Sequence, residues 1–283
     1  MDFDKYLNEA WSAHATNAAA VAAGFAQGYA LIAEPSHITQ FAHLIVHVYG
    51  EHLAQFKNGH NAILQMKAHP LLTDETTRDL ARFEATLAVA GNPDQNIDSF
   101  SLSDQIRILA TALSTNAGLG NADIAVKFLE RISRLSTELP AGDPGNRAVA
   151  VAGNNVACTL EEKSELTAVE KELMLNAAHC SRKFWAIAGT WLQVQRAEYR
   201  LARSYLKACD ILNSIKHANL CLTICQENSA SPLEMFYAYE AIASIEKKMN
   251  QNLRSLAQME KYFEQLSAED RNGCEKSLLR IKS

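Results

Sequence analysis

Apolar side chains along this chain recur roughly every three to four residues, the period of a helix, and nowhere alternate for long enough to suggest a strand. The stretch Arg196 to Asn228, RAEYRLARSYLKACDILNSIKHANLCLTICQEN, shows this best: a periodic segment, a break at Cys209-Asp210, then a second periodic segment. Small and large apolar residues fall where two antiparallel helices would touch, so the stretch predicts a helical hairpin. All six prolines (Pro35, Pro70, Pro93, Pro140, Pro144 and Pro232) lie between periodic segments, where a missing backbone donor does no harm. The segments so bounded predict about 13 helices. They run roughly over 3–14, 16–32, 36–57, 59–69, 74–91, 101–117, 121–138, 145–161, 166–183, 185–208, 211–227, 232–249 and 252–266, with a short terminal helix near 268–281. Ser36, Ser101 and Ser103 supply caps, Asp74 and Glu75 sit in a first turn, and Ser231-Pro232 places proline at a first helical position.

A hairpin of this kind cannot bury its apolar face alone and must stack on a neighbour. The expected fold is therefore all-α, one stack of antiparallel helix pairs over residues 1–283. The loop ELPAGDPGN near 138–146 marks a sub-boundary between divergent helical repeats (1–138) and more regular ones (145–283).

Composition narrows the function classes. The net charge of −5 would repel nucleic acid, and no block of like charge offsets it. Ala18 to Ala33 is interrupted by Gly24, Gln27 and Gly28 and is too short to span a bilayer, so no membrane partner is expected. The start MDFDKYLNEAW is acidic and amphipathic, unlike a secretion signal. Six cysteines (Cys158, Cys180, Cys209, Cys221, Cys225, Cys274) mostly sit inside helical segments with apolar neighbours. They read as buried thiols, which places the chain in a reducing cytoplasm.

The hairpin 196–228 resembles a tetratricopeptide repeat. Leu201-Ala202 matches the large-small pair of the first helix, Tyr205 the aromatic one turn on, Asp210 the turn, Ala218 a small position, and Cys221-Leu222 the small-large pair near the end. Weaker copies run from Leu113 to Ile132 around Gly120, from Asn154 to Ala178, from Ala241 to Phe263 around Asn250-Gln251, and from Ala42 to Met66 around Asn58-Gly59. Ser214 departs from the usual alanine, and the anchors Leu113, Ala157, Ala202 and Ala243 lie about 41–45 residues apart rather than about 34, so HEAT or armadillo-like pairs stay open. HANLCLTICQEN followed by FYAYEAIASIEKK is similar to the C-terminal part of uncharacterised bacterial tetratricopeptide-like proteins, over about 145–266. The resemblance implies a right-handed α-α superhelix and a binding role, with no activity to carry over.

Candidate chemistry is sparse. Arg196, Arg200, Arg203 and Lys207 fall within an arc of about 60° on one helix, opposite Val194, Ala197, Leu201 and Tyr205. In tetratricopeptide arrays the first helix of each pair lines the concave groove, so this ridge would face it. With Tyr199 beside it and Asn154 on a neighbouring first helix, the ridge would hold an acidic peptide, a carboxylate terminus or a phosphorylated segment. The competing reading is a face paired with Glu198 or with acidic residues of neighbouring helices. On the first reading, Arg196→Glu combined with Arg203→Glu abolishes partner capture and leaves the fold intact. His43, His47 and Glu51 follow one another at four-residue steps and are the weak metal candidates; His52, His60 and His69 read as scattered around the helix axes. GLGN at 118–121 lacks the Gly-Lys-Ser/Thr of a phosphate loop and reads as a hairpin turn. The expectation is a non-enzymatic scaffold for an unidentified, acidic protein or peptide, without a cofactor. A metal-dependent helical enzyme on the N-terminal histidines and a ligand-responsive regulator are the alternatives, and homodimerisation is left open.

Overall fold

The computed structural model describes residues 2–283 and is all-α, with no strand among the described residues. Among the described residues, fourteen α-helices are joined by one π-helical turn and one 3-10 turn. The chain divides into two compact units, up to Ala152 and from Gly153 onward. That division falls within a helix rather than in the loop 138–146.

The first unit begins with α1 (Phe3–Ala23), α2 (Phe25–Ala30) and α3 (Pro35–Val46), followed by the π-helical turn His47–His52. Then come α4 (Phe56–Met66), α5 (Asp74–Gly91), α6 (Leu102–Gly118), α7 (Ala122–Leu135) and the start of α8 (Pro144–Glu161). α3 packs on α4 and α5, α5 on α6, and α6 on α7. The expected break near residue 15 is a kink inside α1, where Asn17 leaves helical geometry (φ −147°, ψ 55°). The interior around α3 is largely hydrocarbon. Ile38, Phe41, Leu44, Ile63, Leu80 and Leu87 are all buried, and Phe41 meets Phe3, Tyr6 and Phe25 edge-on at 6.3, 6.1 and 5.5 Å. Each such side chain contributes about 1.5–3 kcal/mol through burial. Asn58-Gly59, read as a turn, lies inside α4. Gly59 serves packing instead: a Cβ there would come within 3.0 Å of Leu87 and Tyr49.

The second unit holds the end of α8, α9 (Ala168–Ala188), α10 (Trp191–Lys207), α11 (Ile211–Glu227), α12 (Pro232–Lys248), α13 (Leu256–Glu264) and α14 (Ala268–Lys282). Each helix from α9 to α12 packs on its successor; α10 also reaches α12, and α12 also reaches α14. The turn expected at 183–185 is displaced to Gly189-Thr190, where Thr190 and Gln193 form a capping box. Close approach relies on small residues. A Cβ at Gly153 would lie 2.5 Å from the Ala177 carbonyl oxygen, and Ser214 donates its hydroxyl to the Ala202 carbonyl at 2.8 Å. The serine that departs from the repeat pattern therefore fastens α11 to α10.

Turns repeat one device. At the ends of α6, α10, α11 and α12, the residue after the cap is left-handed: Gly120 (φ 81°), Cys209 (φ 62°), Ser229 (φ 49°) and Asn250 (φ 52°). At α10, the Asp210 amide donates to the Tyr205 carbonyl at 2.9 Å and the Cys209 amide to Leu206 at 3.1 Å, the paired bonds of a Schellman motif. Five cysteines are buried or half-buried, and Cys209 is exposed.

Candidate functional site

The basic ridge of α10 faces carboxylates. Arg196 forks onto Glu234, Arg200 donates to Glu161 at 2.6 Å and to Asn154 at 3.4 Å, and Arg203 donates to Glu240 at 2.8 Å. Glu240 is fully buried; it also accepts the Tyr199 hydroxyl at 2.9 Å, the Ser244 hydroxyl at 3.0 Å and a guanidinium bond from Arg280 on α14. Burial works against the charge of Arg200 and Arg203, yet Glu161 and Glu240 beside them raise both guanidinium pKa values. Burial raises the Glu161 carboxyl, with Arg200 and Ser204 opposing it. Tyr199 is held well above its ordinary value by burial and by Glu240, so it remains a donor. Glu198 lies elsewhere and receives Arg182 and His217, each at 2.6 Å.

The ridge residues therefore separate. Arg196, Tyr199, Arg200 and Asn154 serve bonds within the unit, whereas Arg203 and Lys207 also line a pocket of about 780 Å³. Its wall adds Lys171, Lys247, Lys248 and Arg280, with Glu161 the one carboxylate among its lining residues. Lys207 donates to the Lys163 and Ser164 carbonyls and Lys247 to the Arg280 carbonyl, bonds that leave their charge unneutralised. Lys248 and Lys171 line the pocket outside any ion pair among the described residues, although Lys171 is near enough to Asp210 to help lower its pKa. Three guanidiniums (Arg200, Arg203, Arg280) thus meet two carboxylates (Glu161, Glu240), with four ammonium groups left over. Some of that excess complements the C-terminal ends of α10 and α12. The double reversal Arg196→Glu/Arg203→Glu would not spare the fold, because a carboxylate at 203 would abut buried Glu240.

The N-terminal histidines regroup as well. His43 stacks over Phe83, with centroids 6.2 Å apart, and its pKa is lowered by desolvation and by His47. It borders, through Trp11 (centroids 5.3 Å), a cluster formed by His14, His47 and His52, whose candidate nitrogens all lie within 4.8 Å of one another. Glu51 sits 3.2 Å from His47 Nδ1. Desolvation and the neighbouring histidines lower the pKa of His52. His52 escapes the α-helical wheel because five residues there rotate a side chain by about 140° away from His47. The π-helical i→i+5 ladder returns it to the same face, with the Leu53 amide bonded to the Val48 carbonyl at 3.1 Å. His14 arrives from α1, and no local pattern announces it.

No helix is long and apolar enough to cross a membrane among the described residues. Comparison with protein-family models, with curated proteins and with solved structures returned no match for this chain, so its own geometry is the ground for assigning a role.

Proposed function

We propose that this protein is a non-enzymatic binding scaffold built from stacked, tetratricopeptide-like helix pairs, and that the pocket of its second unit receives an acidic segment of a partner protein. The observation that carries the reading is the excess of ammonium groups around the 780 Å³ pocket of a chain whose net charge is −5. A concave cationic surface set in an anionic molecule focuses the field on one place and selects carboxylates over the rest of the solute. Arg203 and Arg280, both tied to Glu240, supply a pre-positioned rim, so the scaffold orders little on binding. The volume suits a short run of side chains rather than a whole domain.

Fluorescence polarisation with a fluorescein-labelled deca-glutamate peptide tests this. Binding that weakens with salt, and that weakens at least about tenfold in the Lys171→Glu/Lys248→Glu protein, supports the pocket. Neither lysine forms an ion pair among the described residues, and Lys171 bears on the fold through its field on Asp210, so circular dichroism checks that the variant is folded before the affinities are compared. Equal affinity in parent and variant, or no binding of the peptide by the parent, would overturn the assignment.

A further inference from the structure

His14, His47 and His52 project from two separate elements of the first unit, α1 and the π-helical turn, yet their rings converge. Ring centroids are 4.8 Å (His14–His47), 5.0 Å (His14–His52) and 4.8 Å (His47–His52) apart, and each pair meets edge to face rather than stacked. The two Nε2 atoms of His47 and His52 are 3.1 Å apart. The two are hydrogen-bonded to each other; two imidazole nitrogens bound tetrahedrally at about 2.0–2.1 Å from one ion are about 3.3 Å apart, so an ion would take the place of the shared proton, with the rings turning until both lone pairs point at it.

Two of the three Nδ1 atoms are already occupied. His14 Nδ1 is hydrogen-bonded to the Trp11 carbonyl, and His47 Nδ1 faces the Glu51 carboxylate at 3.2 Å. An imidazole whose Nδ1–H is held by a carbonyl or carboxylate has its tautomer set, with the Nε2 lone pair left for a metal. Trp11 covers the cluster from one side, its ring centroid 5.2 Å from His14 and 5.1 Å from His47. His52, by contrast, is exposed and leaves the outer side open to solvent. The backbone that gathers these groups is also unusual. A π-helical turn is costly to keep and recurs at functional sites, and here it is the device that brings His47, Glu51 and His52 to one face.

We propose that His14, His47 and His52 form a three-histidine site for a zinc-class divalent transition ion, with Glu51 orienting His47 and a fourth position facing water. Three neutral imidazole nitrogens suit zinc, and suit cobalt as its spectroscopic substitute; hard ions such as magnesium and calcium prefer oxygen donors. His43, one turn earlier, is a positional control, because it stacks on Phe83 outside the cluster.

The test uses the full chain purified without an affinity tag. Cobalt is titrated in while the visible d–d absorption is followed, and zinc is then used to displace it. The expected result is one ion per chain, with affinity falling at least about tenfold in each of His14→Ala, His47→Ala and His52→Gln and about tenfold in Glu51→Gln, while His43→Ala binds like the parent. His52 is exposed, so its variant stays informative even if a change at His14 or His47 disturbs folding. Affinity unchanged in the His52→Gln protein, equal loss in His43→Ala, or no tetrahedral cobalt spectrum would each overturn the site.

Discussion

Around Phe41 in the first unit, the interior is filled by rings and branched aliphatics, with the Tyr6 hydroxyl donating to the Gly24 carbonyl and His37 stacked on Phe3 at its edge. At comparable depth in the second unit, Glu240 collects a phenol, a hydroxyl and two guanidiniums. The two interiors have different failure modes. Hydrocarbon packing degrades in proportion to the volume removed, because each methylene contributes a small share. A buried ion-pair network degrades abruptly, because removing one partner leaves the others desolvated and unpaired. In the first unit the histidines meet nearer the surface, and Arg82, paired with Asp79 and Asp104, is the deeply buried charge. The second places charge in its interior, and the leftover cations rim a pocket.

The sharpest way to break this contrast is Glu240→Ala. It strands Arg203 and Arg280, and the expected loss is about 3 kcal/mol, the lower end of the usual range, because the Arg280 side chain is 49% exposed and regains water. Urea denaturation measures it, and a loss below about 1 kcal/mol would mean that the network adds no more than surface pairs do. A graded counterpart comes from the hydrocarbon interior: Ile38→Val, at a site with 0% exposure, should lose about 1 kcal/mol. If it costs more than Glu240→Ala, the ranking of the two interiors is reversed.

The smallest effect concerns pH. Glu170 caps the start of α9 opposite Thr167 and pairs with Lys163; those bonds lower its carboxyl from 4.5 to about 2. A depressed folded-state value stabilises the protein fully above the unfolded carboxylate pKa, and the gain fades as pH falls through about 2. Glu170→Gln keeps the cap but lacks the charge. Its stability deficit should therefore be constant near neutrality and should shrink between pH 4.5 and about 2 in parallel urea titrations. A deficit independent of pH would show that the charge contributes nothing beyond the cap.

Legibility differed between the regions for physical reasons. The hairpin of α10 and α11 was readable because its period, small-large pairs and Asp210 cap all act within a few residues. Gly120 signalled its turn, since glycine meets no penalty at positive φ; Cys209 and Ser229 hold the same conformation without any such sign. The basic ridge was visible as an arc on one helix, but its partners Glu161, Glu234 and Glu240 lie 37 to 39 residues away. The lysines completing the pocket gave one faint hint, Lys247 and Lys248 in the last turn of α12.

Periodicity, proline placement and capping residues alone determined that this protein is helical and where most of its helices lie, because those forces act over one or two turns. Tertiary structure decided which charges are neutralised, which collect around an opening, and which three histidines meet. Those outcomes depend on side chains brought together from distant segments, and in the case of His52 on a π-helical turn that no wheel drawn at 100° per residue can foresee.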